Sequence, residues 1–139
     1  MNWLAWSILS AVFAALTAVL AKIGVAEVNS NLATAIRTTV ILAFTWLIVA
    51  FSTPIRDLGG ISRRSWIFLI LSGIATGLSW LCYFRALQLG AVSKVAPVDK
   101  LSVVLAMLLA FAVLGERFTL REGMGAGCIV LGVLVLVWK

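Results

Sequence analysis

Long runs of uncharged apolar residues recur along this chain, and they constrain its fold more than any other feature. A helix rising 1.5 Å per residue needs about 20 such residues to cross a hydrocarbon core roughly 30 Å thick. Composition closes off the alternatives. Of the 139 residues, 63% are hydrophobic and 12% charged. A soluble domain carries about 45–50% apolar and about 25% charged residues. In water a domain of this size hides at most roughly two-thirds of its surface, too little for so much apolar side chain. Disorder requires the opposite composition. The chain reads as an all-α integral membrane protein, multi-pass in the cell (inner or plasma) membrane.

Five spans are predicted, at about 3–22, 32–51, 65–89, 96–114 and 120–138, and the whole chain reads as one membrane domain. The first runs without charge from Trp3 to Ala21 and is closed by Lys22. It lacks a basic n-region and is too long for a cleaved signal, so it is read as a retained helix. Asn29, Ser30 or Asn31 is suited to cap the second span, which carries one charge, Arg37. Pro54, Gly59 and Gly60, with Arg56, Asp57, Arg63 and Arg64, mark a connector to the third. Gly90 is placed to terminate that helix, with Arg85 favoured by its negative end. The fourth span has a clean core only from Leu101 to Leu114, so it must reach back to Ala96 and take in Asp99 and Lys100. Pro97 is expected in its first turn, where the missing N–H is harmless. After Gly115-Glu116-Arg117, the sequence Thr119-Leu120-Arg121-Glu122 is a capping box that opens the fifth helix. Trp3, Trp6, Trp46 and Trp66 fall near one membrane face, and Trp80, Tyr83 and Trp138 near the other, as an aromatic belt requires.

The net charge of +6 is spread singly or in pairs between the spans, with no basic face, which argues against nucleic acid as a partner. Arg56, Arg63, Arg64, Arg117 and Arg121 lie on one side; Lys22, Arg85, Lys94 and Lys139 lie on the other, with Arg37 and Lys100 at the margin. The two sides differ by one charge in either direction, depending on those two residues. The positive-inside rule therefore permits insertion both ways round. No histidine is present, and Cys82 and Cys128 lie apart in apolar segments as small packing residues. A zinc site is excluded, no cofactor is implied, and no nucleophile and base are available to build an enzyme.

An odd number of spans has a consequence for assembly. Many transporters combine two repeats of inverted topology around a site at mid-membrane. A five-span unit ends on the side opposite to its start, and this chain contains no second copy.

In order along the chain stand Ala86-Leu87, Val95-Ala96-Pro97-Val98, Leu114-Gly115-Glu116 and a glycine-rich last helix. This pattern, within a five-span frame, resembles the EamA family of the drug/metabolite transporter superfamily. It covers the whole chain as one five-helix unit, similar to the single-unit bacterial and archaeal branch. The resemblance implies half of a ten-helix inverted-repeat transporter, a permease or exporter of small metabolites or drugs with its cavity between two units. The missing half would come from a second copy, antiparallel or not, or from a related chain.

Charge inside a membrane is costly and marks candidate working residues. Asp99 is either a proton or cation relay or a carboxylate meeting the free N–H groups of a first helical turn. Lys100 follows at about 100° around the helix, so the two side chains are not expected to share a face. Arg37 either binds an anionic group, pairs with Asp99 or snorkels to the surface. Lys94, Trp80 and Tyr83 complete the candidate cavity, the aromatic rings, with Trp6, as a wall for an organic cation. Gly73, Gly77, Gly123, Gly125, Gly127 and Gly132 are candidates for close helix approach, within the monomer or at a dimer seam. Pro97, Gly115, Glu116, Thr119 and Glu122 are read as structural, Glu116 organising its turn with Arg117 or Arg121. The rival reading is a non-transporting subunit packed against a larger membrane partner.

Overall fold

The computed structural model describes residues 2–52 and 59–138, and every regular element among them is helical. Pro54, Arg56 and Asp57 of the expected connector lie outside the described residues. Six helices form in order: α1 (Trp3–Gly24), α2 (Ser30–Ser52), α3 (Arg63–Leu89), α4 (Val92–Asp99), α5 (Leu101–Leu109) and α6 (Leu120–Val137). A wide π turn, Ala110–Leu114, extends α5, so that 92–114 acts as one span and five segments are long and apolar enough to cross a membrane. Almost none of their residues is buried. The helices present apolar side chains outward, which only a lipid solvent tolerates; in that solvent each backbone N–H and C=O must be satisfied within the protein.

Helix starts show how the sequence meets that demand. Asn2 accepts a hydrogen bond from the Ala5 N–H at 3.0 Å at the head of α1. Of the three residues suited to cap α2, Asn29 does so, its side-chain oxygen taking the Asn31 N–H at 2.9 Å. Ser62 takes the Ser65 N–H at 3.1 Å before α3. At α6 the capping box is complete: the Glu122 N–H donates to Thr119 Oγ1 at 3.3 Å, and the Thr119 N–H returns to Glu122 Oε2 at 2.7 Å.

The fourth span departs from its sequence reading. It begins at Val92, behind an extended Ala91, with the Lys94 and Val95 N–H groups both directed to the Ala91 carbonyl. Pro97 therefore lies inside α4 and not in its first turn. Having no N–H, it cannot bond back to Ser93. One turn later the ladder tightens: Lys100 donates to the Pro97 carbonyl and Val103 to that of Lys100, each three residues back. The span breaks there into α4 and α5.

Its far end closes on Gly115, the described residue with positive φ (+69°). Both the Gly115 and the Glu116 N–H converge on the Ala110 carbonyl, the latter at 3.3 Å. The backbone of Glu116 thus closes the turn. Its carboxylate makes no ion pair with Arg117 or Arg121, because among the described residues the only ion pair is Lys100 with Asp99. Phe111 and Phe118 pack across this corner, ring centroids 5.8 Å apart.

By its contacts the chain divides into two compact units, Met1–Ala18 with Gly90–Lys139, and Val19–Leu89. In the first, α6 packs on α4 and α5, burying Val133. In the second, α2 packs on α3, and Val25, Ser30, Thr34, Phe84 and Leu87 are buried. The glycines expected at close approaches do not make them. A Cβ built on Gly73, Gly77, Gly123, Gly125, Gly127 or Gly132 would meet no described atom within 4 Å. Cys82 and Cys128 are likewise exposed free thiols, not packed ones.

Left-handed backbone costs an L-residue about 1 kcal/mol or more, which glycine escapes. Gly115→Ala is expected to lower the thermal midpoint of the purified chain in detergent, whereas Gly73→Ala, inside α3 with open space and better helix propensity, leaves it unchanged or raises it. Scanning fluorimetry on the two variants checks the contrast.

Candidate functional site

In the unit Val19–Leu89, the C-terminal end of α3 is where charged and polar side chains converge. Lys22, at the end of α1, donates from Nζ to the Leu87 carbonyl, one of the last carbonyls of α3. Those carbonyls have no partner within the helix and carry the negative end of its dipole, so an ammonium group is well placed there. Gln88 donates from Nε2 to the carbonyls of Val28 (2.7 Å) and Val25 (3.2 Å), tying the α1–α2 loop to α3. Arg85, expected to serve the helix end, instead orients this amide, with Nη1 3.0 Å from Gln88 Oε1. Leu87 and Val25 are fully buried beneath the cluster. Lys22 reads in the sequence as a span boundary and Gln88 as an ordinary polar residue. Only the approach of three segments gives either its partner.

One to two turns toward the middle of α3 lies Arg37. Its guanidinium carbon sits 4.4 Å from the centroid of the Trp80 ring and 5.4 Å from that of Phe84. Trp80 and Phe84, four residues apart, present two rings on one face of α3. The face of Trp80 that an organic cation would use is thus occupied by the protein's own cation. Tyr83, three residues from Trp80, shares that side of the helix.

The other flank of the same helix pair is an open groove of about 380 Å³, lined by Asn31, Thr34, Thr38, Thr39, Leu42 and Ala35 of α2 with Gly77 and Leu81 of α3. Counting about 100° per residue from Thr34, the groove residues lie to one side of the α2–α3 seam and Arg37 to the other. The threonine hydroxyls donate four residues back, Thr34 to Ser30 and Thr38 to Thr34 at 2.8 Å each, and Thr39 to Ala35 at 3.1 Å. Such back-bonding satisfies the hydroxyl hydrogens without water and leaves oxygen lone pairs facing the groove. The sequence reading passed over this face. Its signal was the four-residue repeat Ser30, Thr34, Thr38, set among residues chosen for their charge.

The remaining candidates lie in the other unit. Asp99 ends α4 and does not begin a helix, so it meets no free N–H groups of a first turn. Its carboxylate is 3.4 Å from Lys100 Nζ, contrary to the expectation that the two would not meet. The 100° rule assumes a continuous helix, and the break at Lys100 lets its long side chain turn back. The side chains are 37% and 56% exposed, so the pair contributes at most about 1 kcal/mol. Lys94 and Trp6 are exposed.

Five lipid-length helices with outward apolar faces, polar helix ends satisfied within the chain, and a polar groove along one helix pair define a multi-pass membrane protein of the transporter class. The chain belongs to the EamA-like transporter family, whose model matches residues 1–138. It is 50% identical over 135 residues to a Sinorhizobium sp. protein described as an uncharacterized transporter in the cobO 3' region, covering 97% of this chain and 96% of that one. Over 71 residues it is 32% identical to the probable 4-amino-4-deoxy-L-arabinose-phosphoundecaprenol flippase subunit ArnE of Yersinia pseudotuberculosis serotype O:1b (strain IP 31758), which is 51% of this chain and 62% of that protein. The ArnE of Yersinia pestis (strain Pestoides F) matches to the same extent. No solved structure matches the chain significantly.

Gln88→Leu keeps the volume but leaves the Val25 and Val28 carbonyls without their donor. An unsatisfied buried acceptor costs about 1–3 kcal/mol. The variant is expected to lose thermal stability and to expose residues 25–29 to proteolysis in detergent, while α4 to α6 stay protected. Limited proteolysis with mass spectrometry reads both.

Proposed function

We propose that this chain is one half of a transporter for small metabolites or drugs, completed by a second five-helix unit and working by alternating access. The observation that carries the reading is the five-span frame itself. The family match runs over residues 1–138, a single unit with an odd number of spans, and a second unit of opposite orientation supplies the pseudo-two-fold partner that alternating access uses. The near balance of Lys and Arg on the two sides supports a second copy inserted the other way round. The small-residue positions Gly123, Gly125, Gly127 and Gly132, open in the monomer, supply a face on which such a copy can pack closely. Arg37, Trp80, Tyr83, Lys94, Asp99 and Lys100 are the residues assigned to the substrate and coupling path, and no chemical step is assigned to any of them.

A second reading has one observation in its favour. The relative ArnE is named as a flippase subunit, so a related chain, and not a second copy, would complete the assembly. Labelling of single cysteines at Ser62 and Trp138, in a chain lacking Cys82 and Cys128, separates the two. Labelling of each position from both faces of intact cells is expected for the antiparallel homodimer. Labelling from one face alone rules out the antiparallel homodimer and leaves a related chain, or a parallel pair, as the second half.

Transport itself is checked with a panel of radiolabelled metabolites in proteoliposomes. Asp99→Asn is expected to lower the rate several-fold with membrane abundance unchanged. A fall in abundance with normal activity per molecule makes Asp99 structural.

A further inference from the structure

We propose that the flank of the α2–α3 pair bearing Arg37 is a binding site for an oxyanion headgroup, a carboxylate or a phosphate ester, gripped by the edge of the guanidinium that Trp80 and Phe84 hold in place. Arg37 is the eighth residue of α2, about 10 Å along the helix from Ser30, well within a membrane span. A charge at that depth needs partners. The two rings supply part of what it needs. They attract the guanidinium through their faces, by the negative quadrupole above each ring. They leave its N–H groups unused, because those five donors point outward in the plane of the guanidinium. Among the described residues Arg37 has these ring contacts and an electrostatic interaction with the Tyr83 phenol, and neither a hydrogen bond nor an ion pair.

No counter-charge is at hand in the unit that holds it. Val19–Leu89 contains six basic residues, Lys22, Arg37, Arg56, Arg63, Arg64 and Arg85, against two acidic ones, Glu27 and Asp57. Glu27 is exposed on the α1–α2 loop, and Asp57 lies outside the described residues. The stack of the guanidinium on the two rings limits its motion in advance, so a ligand with two oxygens in a fork meets a positioned donor group and less side-chain freedom is lost on binding. The same stack turns the flank against cations, since an organic cation would have to displace Arg37 from Trp80 and remain beside it. This inference rests on the transporter reading only for what the anion is for. It names the substrate class, or a bound lipid, that the half-transporter would recognise.

The test is a titration of the full chain in phosphatidylcholine nanodiscs, following the Arg37 side-chain Nε–H resonance in a sample labelled with ¹⁵N-arginine. Glycerol 3-phosphate and acetate are added as soluble probes, and phosphatidic acid is incorporated as the lipid probe. A saturable shift of the Arg37 resonance is expected. Its appearance with the soluble probes assigns the site to a water-soluble anion, and its appearance with phosphatidic acid alone assigns it to a lipid headgroup. No shift with any of the three overturns the proposal.

Arg37→Lys assigns the resonance and also tests the fork. With charge kept and the planar donor pair lost, retention of phosphatidic acid or glycerol 3-phosphate by native mass spectrometry is expected to weaken at least about tenfold. Equal retention would mean attraction to a point charge and would overturn the bidentate site. If Arg37→Lys does not fold, assignment passes to Trp80→Phe, which keeps a ring under the guanidinium and moves the Arg37 resonance through its ring current, and the native titration decides alone. Transport is not read in this experiment, so a failed transport assay and a failed titration remain distinct results.

Discussion

In a solvent without water, a backbone carbonyl left open at a helix end has nowhere to turn, and the fold of residues 19–89 is organised around that constraint. The end of α3 is closed from outside itself. Lys22 caps the Leu87 carbonyl from α1, and Gln88 reaches back to the carbonyls of Val25 and Val28 in the next loop. Lys22 thereby satisfies α3 and Gln88 satisfies the α1–α2 loop, and each bond is also a tie between segments. Val25 and Leu87, the fully buried large side chains among the described residues, sit beneath these ties.

With that end fixed, α2 runs back along α3, and the seam between them acquires two unlike flanks. On one, threonines back-bonded to their own helix line an open groove; on the other, a guanidinium lies over two aromatic rings. Both are ways of keeping polar groups in a membrane span without water. Hydroxyls solve the problem locally, through carbonyls one turn back. A guanidinium is too large and too charged for that solution and borrows the faces of Trp80 and Phe84. What each flank leaves unsatisfied, oxygen lone pairs in one case and N–H donors in the other, is what it can offer to a passenger.

Much of this was legible in the sequence. The spans, the capping box of α6 and the family pattern depend on residues close together along the chain, so hydropathy and short-range spacing were enough to place them. The misreadings share a cause. Pro97 was set in a first turn because apolar length was counted from Leu101, whereas the helix starts behind Ala91 and tightens at Lys100. Asp99 and Lys100 were separated by the geometry of a helix that is broken at that point. Glu116 was expected to organise its turn with Arg117 or Arg121, and it is its backbone N–H that closes the turn on Ala110. Charge drew the eye to Asp99, Lys100 and Glu116, and the uncharged Gln88 and the threonines of α2 were passed over.

By itself the sequence determined that this chain lives in a membrane, how many times it crosses and which family it joins, because the transfer of apolar residues into lipid and the closing of helix starts are local energies. Only the tertiary structure decided what the polar residues within the spans are for. Arg37 meets Trp80, and Gln88 meets Val25 and Val28, across more than 40 residues of chain. Such partners are set by how the α1–α2 loop and α2 come to rest on α3, which no periodicity along a single helix records.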